Sequence, residues 1–223
     1  MRVFDFDGTI YDGESLFDLY LYSVRYDPSV LRYLSPVLRC AIRYKLGRAT
    51  LEQMEARVGD VTKRYLERLS VSAGAARLMR RHTAAMGALA HTPVGMRPVR
   101  DDARTAGLDA VVSDFWDHRM NRIKPWYHPR EDDVILTASF DLTVGEACRR
   151  LGVSRLISSV IDPSTLEVTY LNFNVNKVRR FREIMGDDAV IDEFYTDSAF
   201  DQPMIDLARR AYMVRGSCIT RVK

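Results

Sequence analysis

The chain has 223 residues, of which 47% are hydrophobic and 28% charged, and its formal net charge is +3. This composition predicts a folded core with one large domain or a core and a smaller companion, and it excludes a disordered chain. The sequence has no apolar run of about 18 residues, which excludes a transmembrane helix, and the mild positive charge permits an anionic substrate without indicating a nucleic-acid partner.

Cysteine usage gives an expectation about the compartment. Cys40, Cys148 and Cys218 are widely spaced and form no CxxC pattern, and no signal-peptide-like apolar segment precedes the first residues. A sparse, odd set of cysteines is typical of reduced thiols, so we expect a cytoplasmic protein in which all three are buried as small apolar side chains.

The opening stretch carries the first candidate site. An apolar strand leads to Asp5 and Asp7, two residues apart, and the chain turns at Gly8. Residues i and i+2 of a strand share a face, so we expect these two carboxylates to lie together. Adjacent carboxylates repel unless a cation lies between them, and oxygen ligands suit Mg²⁺. An ordinary Asp-Gly turn explains these residues equally well until the rest of the chain is considered.

Helical periodicity dominates residues 14–120. The pattern predicts five helices, over residues 16–24, 30–42, 51–69, 72–91 and 108–123. Thr50 and Gln53 have the spacing of a capping box, which marks the start of the third helix. Pro36 is expected to kink the second helix, and Pro and Gly make residues 92–104 loop-like.

Strands and helices alternate after Asp132. The predicted strands cover residues 134–136, 156–161, 166–173, 194–198 and 211–214, and helices are predicted over 144–151, 176–185 and 204–210. This order predicts an α/β fold with a doubly wound parallel sheet. The predicted core consists of residues 1–13 and 121–223, with an all-helical cap inserted at 14–120.

The polar residues that follow the predicted strands point to one site. Asp5, Asp7, Thr137 and Asp197 all come at strand ends. Ligands of doubly wound sheets bind beyond the carboxyl ends of the strands. We therefore expect these side chains to converge.

Four short motifs resemble, in the same order, those of the haloacid dehalogenase superfamily of phosphohydrolases. Residues 5–9 (DFDGT) resemble its first motif, Thr137 its second, Lys177 its third and residues 197–201 (DSAFD) its fourth. The last motif departs from the common form, because Thr196 precedes it where glycine is usual. Further stretches are similar to the phosphoserine phosphatase-like branch with a helical C1-type cap, namely residues 123–127, 177–181 and 192–195.

This resemblance implies a Rossmannoid core and a Mg²⁺-dependent phosphatase that hydrolyses a small phosphate monoester through an aspartyl-phosphate. Phosphoserine is the best single guess. The resemblance makes Asp5 the nucleophile and Asp7 the general acid and base, whereas the spacing alone leaves open which of the two attacks. The implied metal ligands are Asp5, the backbone carbonyl of Asp7, Asp197 and Asp201, the last as a ligand or through water.

The resemblance also implies the substrate-binding residues, each with a structural alternative. Thr137 and Lys177, which also count as catalytic, would bind the phosphate, while Ser139 and Glu14 would contact substrate. Thr137 or Ser139 could instead cap the next helix. Lys177 could belong to a solvated basic helix face, and Asp201 could be an N-cap. Glu14 is favourable at a helix N-terminus in any case.

Two further functions remain open from the sequence. A basic, aromatic pair of helices in the insertion could lie on anionic lipid and present a lipid or cell-envelope phosphate, although ordinary cap packing is favoured; the residues concerned are Tyr20, Tyr22, Tyr26, Tyr33, Tyr44, Arg25, Arg32, Arg39 and Arg43. The third hypothesis is a non-catalytic phosphate-binding module. The pair Asp5 and Asp7 argues against it, because such a module has no need of two adjacent acids. We expect a small phosphorylated metabolite as partner and no nucleic acid; the sequence does not predict the oligomeric state.

Overall fold

A computed structural model describes the backbone of residues 1–33, 35–36, 39, 42–43, 46–88 and 103–223, and the side chains of these residues except 51, 82–88 and 103–104. The predicted loop at 92–104 and the end of the predicted fourth helix at 89–91 therefore lie outside the described residues, apart from Ala103 and Arg104.

The fold is built on one seven-stranded sheet. Its strands are β1 (Arg2–Phe4), β2 (Val134–Phe140), β3 (Arg155–Ile161), β4 (Val168–Tyr170), β5 (Glu193–Thr196), β6 (Arg210–Arg215) and β7 (Cys218–Arg221). The strand order is β4-β3-β2-β1-β5-β6-β7. The pairings from β3 through β2, β1 and β5 to β6 are parallel, and β7 pairs antiparallel to β6. The predicted α/β class with a mostly parallel sheet and a helical insertion is confirmed.

Helices connect the strands and make up most of the described insertion. The α-helices are α1 (Ser15–Ser23), α2 (Leu51–Ser70), α3 (Ala73–Ala88), α4 (Ala103–Arg119), α5 (Asp141–Leu151), α6 (Val175–Met185) and α7 (Gln202–Leu207). Short 3₁₀-helices cover Pro28–Tyr33, Met120–Arg122 and Ala199–Asp201.

The described chain divides into two compact units. One unit consists of residues 1–18, 116–161 and 169–223, and the other of residues 19–115 and 162–168. The first contains β1 and the strands that flank it, and the second contains α2 and α3.

The core of the first unit explains why β2 begins with an apolar run. Val3, Val134 and Phe194 are fully buried and lie on three adjacent strands, packed with Phe181 of α6. Parallel strands covered on both faces read as continuous apolar runs, which is the pattern at residues 134–136, whereas residues 156–161 are apolar except for Ser158 and Ser159.

An aromatic ladder crosses the other side of this unit. The rings of Phe4 and Tyr195 stack with centroids 4.7 Å apart, and those of Tyr195 and Tyr212 also lie 4.7 Å apart. These are register partners on β1, β5 and β6. Stacked aromatic pairs contribute roughly 0.5–1.5 kcal/mol each beyond the burial of their surface.

The capping box at the start of α2 is confirmed. The Thr50 hydroxyl accepts from the Gln53 amide at 3.2 Å, and the Thr50 amide donates to the Gln53 side chain at 3.2 Å. A cap of this kind contributes about 1 kcal/mol to helix stability.

Two helix predictions are corrected. Residues 28–33 form a 3₁₀-helix, so the predicted α-helix from residue 30 is wrong there; much of its remainder lies outside the described residues. Helix α4 begins at Ala103, five residues before the predicted start at 108, and a 3₁₀ turn replaces its predicted last residues.

Two strand boundaries are corrected, and one strand of the structure was not predicted. β2 continues to Phe140, so Thr137 lies inside the strand instead of at its end. β1 ends at Phe4, so the strand periodicity does not extend to Asp7. The sequence also predicted 211–214 as the last strand, but Gly216, with a φ of +59°, makes the turn that leads into β7.

The cysteines and tyrosines divide between inside and outside. Cys148 is buried as predicted, Cys218 is exposed, contrary to the prediction, and Cys40 lies outside the described residues. Tyr20 and Tyr22 are buried in the second unit, as expected for ordinary packing and not for a lipid-facing surface. In the part of the chain that the structure describes, no helix is both long and apolar enough to span a membrane.

Candidate active site

Asp5 lies at the carboxyl edge of the central strand. β1 runs between β2 and β5, and Asp5 follows its last residue. The Asp5 amide donates to the Tyr195 carbonyl at 2.8 Å, and one Asp5 carboxylate oxygen accepts from the Phe6 amide at 2.8 Å. Burial raises the pKa of Asp5 well above its usual value, Lys177 opposes this, and Asp201 and Asp197 add to it.

Lys177 is a buried cation between two carboxylates. It lies in the first turn of α6 with only 2% of its surface exposed. Its ammonium is 2.7 Å from Asp201 and 3.3 Å from Asp5. Burial lowers the pKa of Lys177, but Asp5 and Asp201 raise it by more, so the side chain stays charged. The alternative of a solvated helix face is therefore wrong for Lys177.

Asp201 is held by two donors. Thr196, in the position where glycine was expected, donates its hydroxyl to Asp201 at 2.7 Å, and Lys177 donates at 2.9 Å. Asp201 is the N-cap residue of α7 by its backbone, as the alternative proposed, but its carboxylate is turned to Thr196 and Lys177. The unexpected threonine thus fixes the acid that the fourth motif supplies.

Asp7 is held by two serines. The Ser15 amide donates to one carboxylate oxygen at 2.7 Å, and the Ser139 hydroxyl donates to the other. Burial raises the pKa of Asp7, the bonds from Ser139 and Ser15 lower it, and Asp197 raises it again, with a net rise. Ser139 thus contacts Asp7, and Phe140 instead of Ser139 is the N-cap residue of α5.

Asp197 approaches the opening loop from β5. It follows Thr196, and the Thr9 hydroxyl lies 3.5 Å from its carboxylate. A Cβ atom on Gly8 would stand 2.5 Å from the carboxyl carbon of Asp197. Burial raises the pKa of Asp197, Asp201 adds to this rise, and Lys177 and Lys124 oppose it. The Asp197 carboxylate therefore lies against the loop that contains Asp7, although almost 200 residues separate the two in sequence.

Replacing Gly8 with alanine is expected to disturb this approach. Gly8 has a φ of +66°, which costs a non-glycine residue about 1–2 kcal/mol, and the new Cβ would overlap the Asp197 carboxylate. Gly152→Ala is a matched control, because its φ is +73° and nothing lies within 4 Å of a Cβ there. Chemical denaturation and a Mg²⁺-binding titration would compare them. Equal stability losses and unchanged Mg²⁺ binding in both variants would contradict the expected displacement of Asp197.

Thr137 is placed by a break in strand pairing. The register between β2 and β3 shifts between Leu136 and Phe140, and Thr137 is fully enclosed there. The buried amide of Asn172 donates to the Thr137 carbonyl at 2.9 Å and to the Ile157 carbonyl at 3.1 Å, which satisfies acceptors that the shift leaves open. The Thr137 hydroxyl accepts from the Ser139 amide at 3.1 Å, and it donates to no group among the described residues, so its proton is available to a ligand. Helix α5 begins only at Asp141, so the predicted cap role of Thr137 is wrong.

Glu14 lies close to several other carboxylates. Its side chain keeps contact with solvent, yet the protein around the carboxylate raises its pKa to about 7, by burial first and then by Asp7, Asp197 and Asp18. Among the described residues, no cation offsets this repulsion. Glu14 is therefore available to a cationic group of a ligand.

The acids of this site fit a divalent cation. Within the described ranges, no three His, Cys, Asp or Glu side chains are already arranged around a common metal position. However, Asp5, Asp197 and Asp201 influence one another electrostatically, and carboxylates outnumber the ammonium groups of Lys177 and Lys124 beside them. Burial first, and then the neighbouring carboxylates, raises the pKa of Asp5 and of Asp197. A bound cation would offset this clustered negative charge, and hard oxygen donors are the ligands that Mg²⁺ prefers. The residues present therefore fit Mg²⁺.

Comparison with known families decides the class of protein. The model of the haloacid dehalogenase-like hydrolases matches residues 3–206, which is most of the chain. The chain belongs to the haloacid dehalogenase-like hydrolases. A search of curated proteins found no match.

Three solved structures are similar to this haloacid dehalogenase-like hydrolase at low sequence identity. A protein of unknown function from Bordetella pertussis is 19% identical, with 95% of this chain and 87% of that chain covered and a TM-score of 0.52. A phosphoserine phosphohydrolase-like protein from Francisella tularensis is 14% identical, with 95% and 86% covered and a TM-score of 0.45. A substrate-bound phosphoserine phosphatase is 11% identical, with 94% and 83% covered and a TM-score of 0.41.

Proposed function

We propose that this hydrolase is a Mg²⁺-dependent phosphatase that hydrolyses a small phosphate monoester through an aspartyl-phosphate on Asp5. The observation that carries the proposal is the buried bridge in which Lys177 lies between Asp5 and Asp201. An acid and a cation fully removed from water are costly to maintain for stability alone, and perturbed groups of this kind cluster at functional sites.

The metal would be held by Asp5, the backbone carbonyl of Asp7, Asp197 and Asp201. When bound, Mg²⁺ would offset the charge of the phosphate and of the acids. Asp5, whose pKa is raised without it, would then be ionised and able to attack.

Asp5 and Asp7 would have different roles in the reaction. A carboxylate oxygen of Asp5 forms a bond to phosphorus as the bond to the ester oxygen breaks. Asp7 gives its proton to the departing alkoxide, and its raised pKa favours the protonated form that this step needs. Asp7 then takes a proton from the water that attacks phosphorus and releases inorganic phosphate and free Asp5.

Lys177 and Thr137 would bind the transferring phosphoryl group. Lys177 supplies a fixed positive charge, and Thr137 supplies a hydroxyl proton that the protein leaves free. Donors held in place in a water-poor site stabilise charge that develops during the transfer. Ser139, which we expected at the substrate, would act there through Asp7.

Metal removal tests this function. We expect the purified protein to hydrolyse para-nitrophenyl phosphate with Mg²⁺, to lose activity with EDTA and to regain it when Mg²⁺ is returned. Turnover that survives exhaustive chelation would contradict the metal assignment, and phosphate binding without any turnover would favour a non-catalytic module.

The substrate class is proposed from Glu14. An unpaired carboxylate beside the site suits a phosphate ester that carries an amino group, such as phosphoserine, and the substrate would be a small phosphorylated metabolite. Glu14→Gln should raise the KM for phosphoserine about tenfold, as expected for a lost charged hydrogen bond, with little change for para-nitrophenyl phosphate.

The pH dependence gives this prediction a sign. Because the pKa of Glu14 is about 7, wild-type Glu14 is charged above that pH and gains a proton below it. The ratio of the phosphoserine KM of Glu14→Gln to that of the wild-type protein should therefore shrink as the pH falls below 7. Glu131→Gln, an exposed acid, is the control. A ratio near one at pH 8 would exclude Glu14 from substrate recognition.

A further inference from the structure

Lys124 is a buried lysine to which the chemistry above gives no role. Only 6% of it is exposed, and its ammonium donates to the carbonyl of Gly8. Gly8 is the residue against which the Asp197 carboxylate lies. Lys124 therefore contacts the loop of Asp5 and Asp7 at the point where the acid of the distant motif approaches it.

The backbone around Lys124 is tied to the same loop. The Lys124 amide donates to the Ile10 carbonyl at 2.7 Å, and the Asp12 amide donates to the Arg122 carbonyl at 2.8 Å. Tyr11 and Ile123 form an antiparallel bridge between these bonds. The Cα of Lys124 is thus fixed with respect to the loop, so only the side-chain rotamers must be ordered for Lys124 to hold Gly8.

Charge adds to this geometry. Burial lowers the pKa of Lys124, while Asp12 and Asp197 oppose the decrease. A buried ammonium is costly unless it is hydrogen-bonded and faces negative charge. The Gly8 carbonyl and the two acids provide both.

We propose that Lys124 is a positioning residue. It holds Gly8, and through Gly8 the loop that carries Asp5 and Asp7, in place beside Asp197. This inference rests on the proposed function for its catalytic consequence. Its structural part, the immobilisation of residues 8–13, can be tested independently.

Three variants separate this role from general stability. Lys124→Met keeps the length of the side chain but removes the donor and the charge, and Lys124→Arg keeps both. Lys63→Met is the matched control, because Lys63 is a surface lysine paired with Glu167. Lys124 is one of the residues that line a cavity of about 300 Å³, which leaves room for either replacement. Lys124→Gln replaces Lys124→Met if the latter does not fold.

The first measurement needs no turnover. Amide hydrogen exchange of residues 8–13, measured without metal, should be about tenfold faster or more in Lys124→Met than in Lys63→Met, because Gly8 loses its anchor. Mg²⁺ affinity by titration calorimetry should fall in Lys124→Met and recover at least partly in Lys124→Arg. Exchange and Mg²⁺ affinity equal to those of Lys63→Met would overturn the proposal.

The second measurement uses para-nitrophenyl phosphate and Mg²⁺. Lys124→Met should lower kcat about 10- to 100-fold with KM changed less than about threefold, since misplaced reacting groups affect turnover more than binding. A kcat per folded molecule equal to that of Lys63→Met would refute the positioning role. If the wild-type protein shows no turnover, the proposed function fails, while exchange and Mg²⁺ affinity still decide whether Lys124 holds the loop.

Discussion

Asp5→Asn is expected to lower kcat for para-nitrophenyl phosphate by more than about 10³-fold, because an amide oxygen cannot replace the attacking carboxylate. The fold should survive this change. Burial, Asp201 and Asp197 all raise the pKa of Asp5, so the ionised carboxylate is unfavourable in the folded protein. We therefore expect the free energy of unfolding, measured without metal, to stay constant or to rise.

The control for this variant is Asp188→Asn, which changes an exposed acid far along the chain. Steady-state kinetics and urea denaturation should be run on both proteins. Full activity in Asp5→Asn would remove Asp5 as the nucleophile. A large loss of stability together with the loss of activity would mean that Asp5 is chiefly a structural partner of Lys177.

Lys177→Met is expected to have the largest effect on stability. It would leave Asp5 and Asp201 buried without the ammonium that lies 3.3 Å and 2.7 Å from them. Removing one partner of a buried ion pair costs about 3–5 kcal/mol, because the remaining charge is uncompensated. Activity should be lost as well, since the phosphoryl group would lose a fixed positive charge.

A double-mutant cycle distinguishes charge from packing. Adding Asp201→Asn to Lys177→Met removes one of the stranded carboxylates, so the double variant should be more stable than Lys177→Met alone. Urea denaturation in EDTA keeps bound metal from masking the difference. If the two changes were additive, the pairing of Lys177 with Asp201 would not be the source of its stabilising effect.

Much of the fold was predictable because its signals are local. The apolar residues at 134–136 and the largely apolar residues at 156–161 mark buried strands, and Thr50 and Gln53 have side chains that can cap a helix only at that spacing. The order of the motifs, together with the rule for ligands at strand ends, led to Asp5, Asp197 and Lys177, which the structure brings together.

The missed features depend on distant partners. Ser15 and Ser139 donate to different carboxylate oxygens of Asp7 although 124 residues separate the two serines. Asn172 donates to the Thr137 carbonyl at the register shift, which no local sequence pattern predicts. Lys124 was visible only as part of a family-like stretch, because the group that it contacts is the backbone carbonyl of Gly8. A backbone acceptor has no signature in a sequence.

The ladder of Phe4, Tyr195 and Tyr212 has a consequence for the chemistry. Phe4 directly precedes Asp5, and Tyr195 is two residues before Asp197. A slip of one residue between β1 and β5 would shift Asp197 by about 3.3 Å along the sheet and turn alternate side chains to the opposite face. The stacked rings therefore keep the neighbouring strands from sliding past each other. In doing so they fix the position of Asp197 along the sheet relative to Asp5.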